Sequence, residues 1–341
     1  MRTKLRKHAI ALSIPLLILT AVLCAGIGSV RLAPQEIVRS VFSRIAGWED
    51  PLIASHAVIL YTIRLPRVLL ALTTGAALSM AGMTLQGLFR NPLADPYIIG
   101  ISSGAAFGAA IAIGTGIGQA LFGGAVVSVF AFAGSLLALL LVTGLSKSGK
   151  HLRASRILLA GVAVGQLFAA GLSVLMVFYA NALERIVYWT MGSLAGNSLS
   201  NVLFCLLIVV IGFLILMRYR TEMNLLLLGD DTAKSMGVAT ERVKRILLLT
   251  ASLMTAVLVS FTGVIGFVGL IIPHVARLLT GSDHRTLLPL SALWGAVFLC
   301  ISDTLARTVA SPLEFPIGVI TALFGAPFFL WLLTRAEGRG Y

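Results

Sequence analysis

The chain has 341 residues, 58% of them hydrophobic and only 11% charged, at a mean hydropathy of +0.99. Soluble domains carry about 25% charged residues, so a soluble fold, which would have to hide all this apolar surface, is excluded. The formal net charge of +13 would suit a nucleic-acid binder, but the basic residues fall between long apolar runs, which makes them a signature of membrane topology instead.

Ten apolar stretches read as membrane spans, at roughly 9–28, 66–85, 96–114, 121–145, 156–178, 201–217, 246–264, 266–279, 288–306 and 317–334. The first follows a basic start, Arg2 to His8, and imitates a signal peptide; its near-spanning length reads as a retained signal anchor. Leu23, just before Cys24, is too large for a lipoprotein processing site. Arg64 and Arg67 bracket Pro66 at the head of the second span, and Pro66 is expected to set where that helix starts. The sequence RNPLADP, residues 90–96, separates the second span from the third. Pro92 and Pro96 have no backbone donor and stop a helix on each side of this turn. Asn91 and Asp95 are placed to bond the free N–H groups at the next helix start. Gly75, Gly82, Gly100, Gly104 and Gly108 offer small surfaces where helices approach closely. The eighth span is short and carries Pro273 and His274 near its end, so a broken or partial helix buried within protein is expected there.

With the amino terminus in the cytoplasm, the inner segments hold nineteen of the 26 lysines and arginines, including every lysine, Lys150 among them, and the arginines Arg153 and Arg339. The outer segments hold Arg31, Arg39, Arg44, Arg64, Arg67, Arg185 and Arg307. This asymmetry supports ten spans with both termini cytoplasmic, the basic excess facing anionic lipid and cytoplasmic partners. The outer segment 29–63 contains LAPQEIVRSVF, whose helical spacing suits a helix lying on the membrane surface, with Trp48 and Tyr61 in the interfacial belt. Tyr188 and Trp189 read as interface anchors in another outer loop.

No catalytic constellation stands out. The chain has no GxxxxGK(S/T) phosphate loop, no HExxH motif and no paired-cysteine zinc spacing. Cys24, Cys205 and Cys300 sit singly inside apolar runs and read as small buried hydrophobes. The polar residues expected at membrane depth are Gln86, Gln166, His274 and Asp303, the last paired by helical spacing with Arg307. Neither an ion relay nor a nucleotide site is evident, so transport would need an external motor; an ion-coupled secondary transporter is the competing class. The inner segment Arg218–Arg245 is the best place for a motor to dock. Gly229, Asp230 and Asp231 mark a helix start, Gly237 marks its stop, and Ala233 and Met236 share a face.

Several stretches carry a family resemblance: RLPR, GAAL, RNPLADP, IIG and SSGAA between Arg64 and Ala106; HLRASRILLAGVAVG; LGDDTAKSMGV; VIGFVGLIIPHVARLLTGSDHRTLLPLSALWGA; and EFPIGVITALFGAPFFLWLL. In this order they resemble the iron-siderophore, haem and cobalamin permease family of ABC importers. The resemblance implies an all-α polytopic membrane protein of about ten helices, with type II ABC importer permease architecture. It implies one permease domain over 1–341 with a cytoplasmic coupling segment at about 222–240. It implies a multi-pass protein of the cytoplasmic membrane that works as a homodimer or beside a similar permease. Two ATPase subunits would lie below and an extracytoplasmic binding protein above, with membrane lipid around it and no nucleic acid. The path would be lined by the fifth and tenth spans. The chain itself would bind no cofactor and no metal and would have no catalytic residue; ATP would be used by the partner subunit. Arg64, Arg67 and Arg307 would meet glutamates of the binding protein. Leu228, Gly229, Asp230, Ala233, Met236 and Gly237 would form the ATPase coupling segment, Met236 standing where the family usually has leucine. Ala154 and Ser155 would form the cytoplasmic gate. The expected cargo is an iron(III)-siderophore complex, with haem and cobalamin as alternatives.

Overall fold

A computed structural model describes residues 2–117, 124–148, 151–152 and 154–336 of the chain. Lys150, Arg153 and Arg339, counted in the charge asymmetry, and the first residues of the expected fourth span lie outside the described residues.

The elements run α1 (Arg2–Gly26), α2 (Pro34–Ala46), α3 (Ala54–Val58), a π-helical turn (Ile59–Arg64), α4 (Leu65–Phe89), a 3-10 turn (Pro96–Ile99), α5 (Ile101–Thr115) and α6 (Ala125–Leu145). A two-stranded antiparallel ladder, β1 (Lys147–Ser148) with β2 (His151–Leu152), leads into α7 (Ala154–Phe178). Then follow α8 (Leu183–Thr190), α9 (Leu199–Arg218), α10 (Arg220–Leu227), α11 (Asp230–Ser235), α12 (Thr240–Thr262), α13 (Val268–Thr280), α14 (His284–Thr308) and α15 (Ile317–Ala336). Among the described residues seven helical segments are long and apolar enough to cross a membrane, and α5, α13 and α15 are shorter apolar helices. Together they occupy the positions of all ten expected spans.

The core is organised on α4, which is buried along almost its whole length and packs against α9, α12, α13 and α14. Lipid chains are as apolar as leucine, so burial alone does not hold such helices together; close backbone approach does. Gly75 faces the backbone of Gly295 on α14, and Gly82 faces the backbone of Gly269 at the start of α13. Any Cβ at either site would collide with a carbonyl group. Gly104 and Gly108 do the same for the α5–α6 pair, against Gly134 and Phe130.

Pro66 does not start a helix. The helix is continuous from Ala54 to Phe89, and the missing donor is absorbed by the π turn, where Leu65 N–H reaches back to Leu60 O. At the other end Arg90 adopts a left-handed conformation with φ 50° and closes the helix. Asn91 Oδ1 then accepts from Leu93 N at 2.9 Å, and Asp95 Oδ1 from Tyr97 N at 2.8 Å. Both side chains satisfy backbone donors in the turn, as their positions suggested.

The eighth span is a partial helix, as its length suggested, but it is not broken at Pro273 and His274: α13 runs through both, and the irregular backbone lies ahead of it, at residues 263–267 between α12 and α13. With 13 residues, α13 is about 20 Å long and is too short to span alone. Gly263 and Phe267 both have positive φ, 66° and 68°. This irregular backbone sits inside protein. The Tyr97 hydroxyl donates to Ile265 O at 3.0 Å and accepts from Ile265 N at 3.1 Å, so one side chain satisfies both groups of one residue.

Candidate functional site

The 25 residues of α4 separate its two charged ends by about 38 Å. At its first end the π turn aims Arg64 at α1. Arg64 Nη1 donates to Ala25 O at 2.9 Å and Gly26 O at 3.1 Å, and Nη2 donates to Val30 O. Arg307 Nη2, on α14, donates to Cys24 O. The two guanidiniums therefore cap the last carbonyls of α1, where the helix dipole is negative. Arg67 is gripped twice: Nε bonds both oxygens of Asp303 at 3.1 and 3.0 Å, and Nη1 bonds both oxygens of Glu314 at 3.1 and 2.9 Å.

Arg64, Arg67 and Arg307 thus gather at one end of the molecule, but they are largely buried and bonded within the chain. Contact with glutamates of another protein would require these bonds to break. What this end presents outward is Glu314, with its side chain 50% exposed, flanked by exposed Leu313 and Phe315. The expected pairing of Asp303 with Arg307 is a loose one, 3.8 Å; the close partner of Asp303 is Arg67, 236 positions away in sequence.

At the other end, Arg90 Nε donates to Leu226 O at 3.0 Å, and its Nη2 pairs with Asp230. Lys244 Nζ pairs with the other oxygen of Asp230. One carboxylate thus ties the short helix α11 to the end of α4 and the start of α12. Gly229 begins α11 with φ 118°, a conformation open to glycine, and Gly237 ends it with φ 84°. Leu228 and Met236 are exposed on this segment. Ala233 corrects the expectation of a shared docking face: it is fully buried, packed in the core rather than presented beside Met236. The helix is one and a half turns long, so its inward side must carry the contact that anchors it.

Ala154 and Ser155 open α7 at this same end. Ala154 lines a small cleft with Phe89 and Lys244, and Ser155 is exposed. Further along α7, an open face carries Leu159, Val162, Gln166, Ser173 and Val177. A carboxamide cannot be left against hydrocarbon cheaply, so this face suits another protein or a water-filled path better than lipid. Gln86, by contrast, is spent internally: Nε2 donates to Gly269 O, and Oε1 accepts from Arg277, each at 3.0 Å. His274 lies edge-on to Phe328 at 6.0 Å, with Nε2 unpartnered among the described residues.

A family comparison matches residues 16–335 to the FecCD transport family. The chain belongs to the FecCD transport family. It is 49% identical over 282 residues to the cobalamin import system permease protein BtuC of Halobacterium salinarum, covering 83% of this chain and 75% of that protein. Identity to the hemin transport system permease protein HmuU of Yersinia pestis is 43% over 278 residues, covering 80% and 82%. An inward-facing structure of an ABC transporter assigned to the metal-chelate type matches with a TM-score of 0.83 at 34% identity, covering 96% of this chain and 98% of that one. This FecCD chain therefore has the type II ABC importer permease fold and is the transport subunit, with ATP hydrolysis on a separate subunit.

Reading the FecCD sequence missed Arg90, Lys244, Glu314 and Tyr97 as members of these sites. Arg90 and Tyr97 had a local signal, each lying beside a proline turn that exposes backbone. Glu314 had none, because its partner Arg67 lies 247 positions away, and Lys244 had none, because the turn between α11 and α12 decides whether it meets Asp230, 14 positions before it.

Proposed function

We propose that the chain passes a bulky, already chelated metal cargo through the cytoplasmic membrane as one half of a permease dimer. The observation that carries this reading is the Asp230 bridge. A segment that presents Leu228 and Met236 outward is bolted through one carboxylate to α4 and α12, so force applied there reaches the centre of the fold. ATPase subunits dock on Leu228 and Met236. The binding protein docks at the Arg67–Glu314 end, where Arg64 and Arg307 hold α1 in place behind the contact surface. The α7 face, with α15, lines the path, and Ala154 and Ser155 form its cytoplasmic gate. Its apolar walls, broken by neutral polar groups, let a large chelate slide without trapping it. Cobalamin and hemin in the names of the relatives support this cargo class, and an iron(III)-siderophore remains its third member. ATP binding moves the permease between inward- and outward-open states only to the extent that ATPase and cargo bind those states differently.

The test is uptake into liposomes holding the permease with its ATPase and binding protein. Labelled cobalamin, haemin and a ferric siderophore are offered in turn. One of the three should accumulate only with ATP inside and regardless of ionophore. Uptake by the permease alone, collapsing with ionophore, would replace this reading with ion-coupled transport.

A further inference from the structure

An apolar groove of about 670 Å³ runs between the middle of α1 and the first turns of α2. Ile18, Leu19 and Val22 form one wall, and Val38 forms part of the other, with Gln35 and Arg39 on the rim. Its volume is in the range of small-molecule sites, ~300–1,000 Å³. The α1 wall is the lipid-facing side of a membrane span, with Ile18 59% and Leu19 55% exposed. A groove so apolar, open at membrane depth, excludes water and takes hydrocarbon.

The rim has the opposite chemistry. Gln35 and Arg39 are exposed, lie one turn apart on α2, and have no hydrogen-bond or ion-pair partner among the described residues. The other side of α2 is fixed to the fold: Ile37 is buried, and Ser40 bonds Asp50 at 2.7 Å and Tyr61 at 2.8 Å. Phe42 and Trp48 are both exposed and stack edge to face, with centroids 5.7 Å apart. Such a helix, apolar toward the bilayer with aromatic residues at its end, lies at headgroup level. The unpaired cation is therefore held where lipid phosphates are, directly above a slot for an acyl chain.

We propose that α1 and α2 form a specific phospholipid site, with an acyl chain in the groove and the phosphate on Arg39 and Gln35. The lipid wedges α2 against α1, whose end is capped by Arg64 and Arg307. Neither free phosphate nor a neutral lipid supplies both halves of this recognition.

The test uses the full chain purified in a mild detergent, with bound lipid read by native mass spectrometry. Phosphatidylglycerol, diacylglycerol with the same chains, and glycerol 3-phosphate are added separately. Phosphatidylglycerol should be retained about fivefold better than diacylglycerol, the worth of one basic contact at a membrane surface, and glycerol 3-phosphate should not displace it. Arg39→Ala should abolish that preference. Val38→Trp, at an exposed position, should lower retention of both lipids by filling the slot, without changing the thermal melt. Equal retention of the two lipids by the wild type, or an unchanged preference in Arg39→Ala, would overturn the proposal. Conversion of dimer to monomer by Val38→Trp would overturn it too, assigning the groove to a second copy of the chain.

Discussion

Replacing Asp303 by asparagine should be among the most damaging isosteric changes in the protein. The Asp303 side chain is 2% exposed and the Arg67 side chain 10%. Arg67 Nε rests on both Asp303 oxygens, and the Arg307 guanidinium stands 3.8 Å from one of them. Removing the charge leaves two buried cations facing each other around a neutral amide. Removing one partner of a buried pair costs ~3–5 kcal/mol. Here the lower end applies, because Glu314 still holds the Nη1 side of Arg67. Glu314 is half exposed, so Glu314→Gln alone should cost only ~0–1 kcal/mol. The double variant should lose more than the sum of the two, since Arg67 then has no carboxylate at all. Denaturant unfolding in detergent micelles, followed by tryptophan fluorescence, gives the four values of this cycle. Additive losses, or Glu314→Gln hurting as much as Asp303→Asn, would refute the assignment of Asp303 as the principal counter-ion.

At the coupling end, Leu228→Arg or Met236→Arg should abolish co-purification of the ATPase while leaving yield and thermal melt unchanged. Ala233→Arg should instead lower the amount of folded protein, because Ala233 is fully buried; a well-folded Ala233→Arg protein that has lost only the ATPase would contradict the burial argument. Tyr97→Phe should destabilise by ~1–3 kcal/mol, the range for a buried polar group left unsatisfied, and should speed hydrogen exchange at the Ile265 amide. Gly82→Val should prevent assembly, since its Cβ meets the backbone of Gly269. Val at Gly116, where a Cβ would meet nothing, should leave the helix packing intact, with only the local strain of its positive φ.

The ten spans were legible because a bilayer demands length and apolarity within one local segment, and both can be read locally. The turn at residues 90–96 was legible for the same reason, since prolines, Asn91 and Asp95 act on neighbours a few positions away. The shortness of α13 was foreseen, but the break was expected at Pro273 and His274, which α13 runs through; the irregular backbone ahead of it was not legible, because Tyr97, which satisfies it, comes from 168 positions away. Pro66 misled: a proline marks a helix start only if the ladder cannot shift register, and here a π turn shifts it. The roles of Arg64 and Arg307 were illegible, because capping of α1 depends on where a remote helix end arrives. Ala233 was placed on the wrong side of α11, because six residues do not define an apolar face by periodicity.

On the proposed function, a motor acting on the coupling segment moves α4 through Asp230. The direct measurement compares ATP hydrolysis with cargo uptake in liposomes holding the complete importer, for the wild type and Asp230→Asn. The asparagine keeps the shape and removes the charge shared by Arg90 and Lys244. Uptake should fall at least tenfold while the ATPase still binds and hydrolyses ATP. Equal uptake per ATP in the two proteins would show that the signal does not travel through this carboxylate.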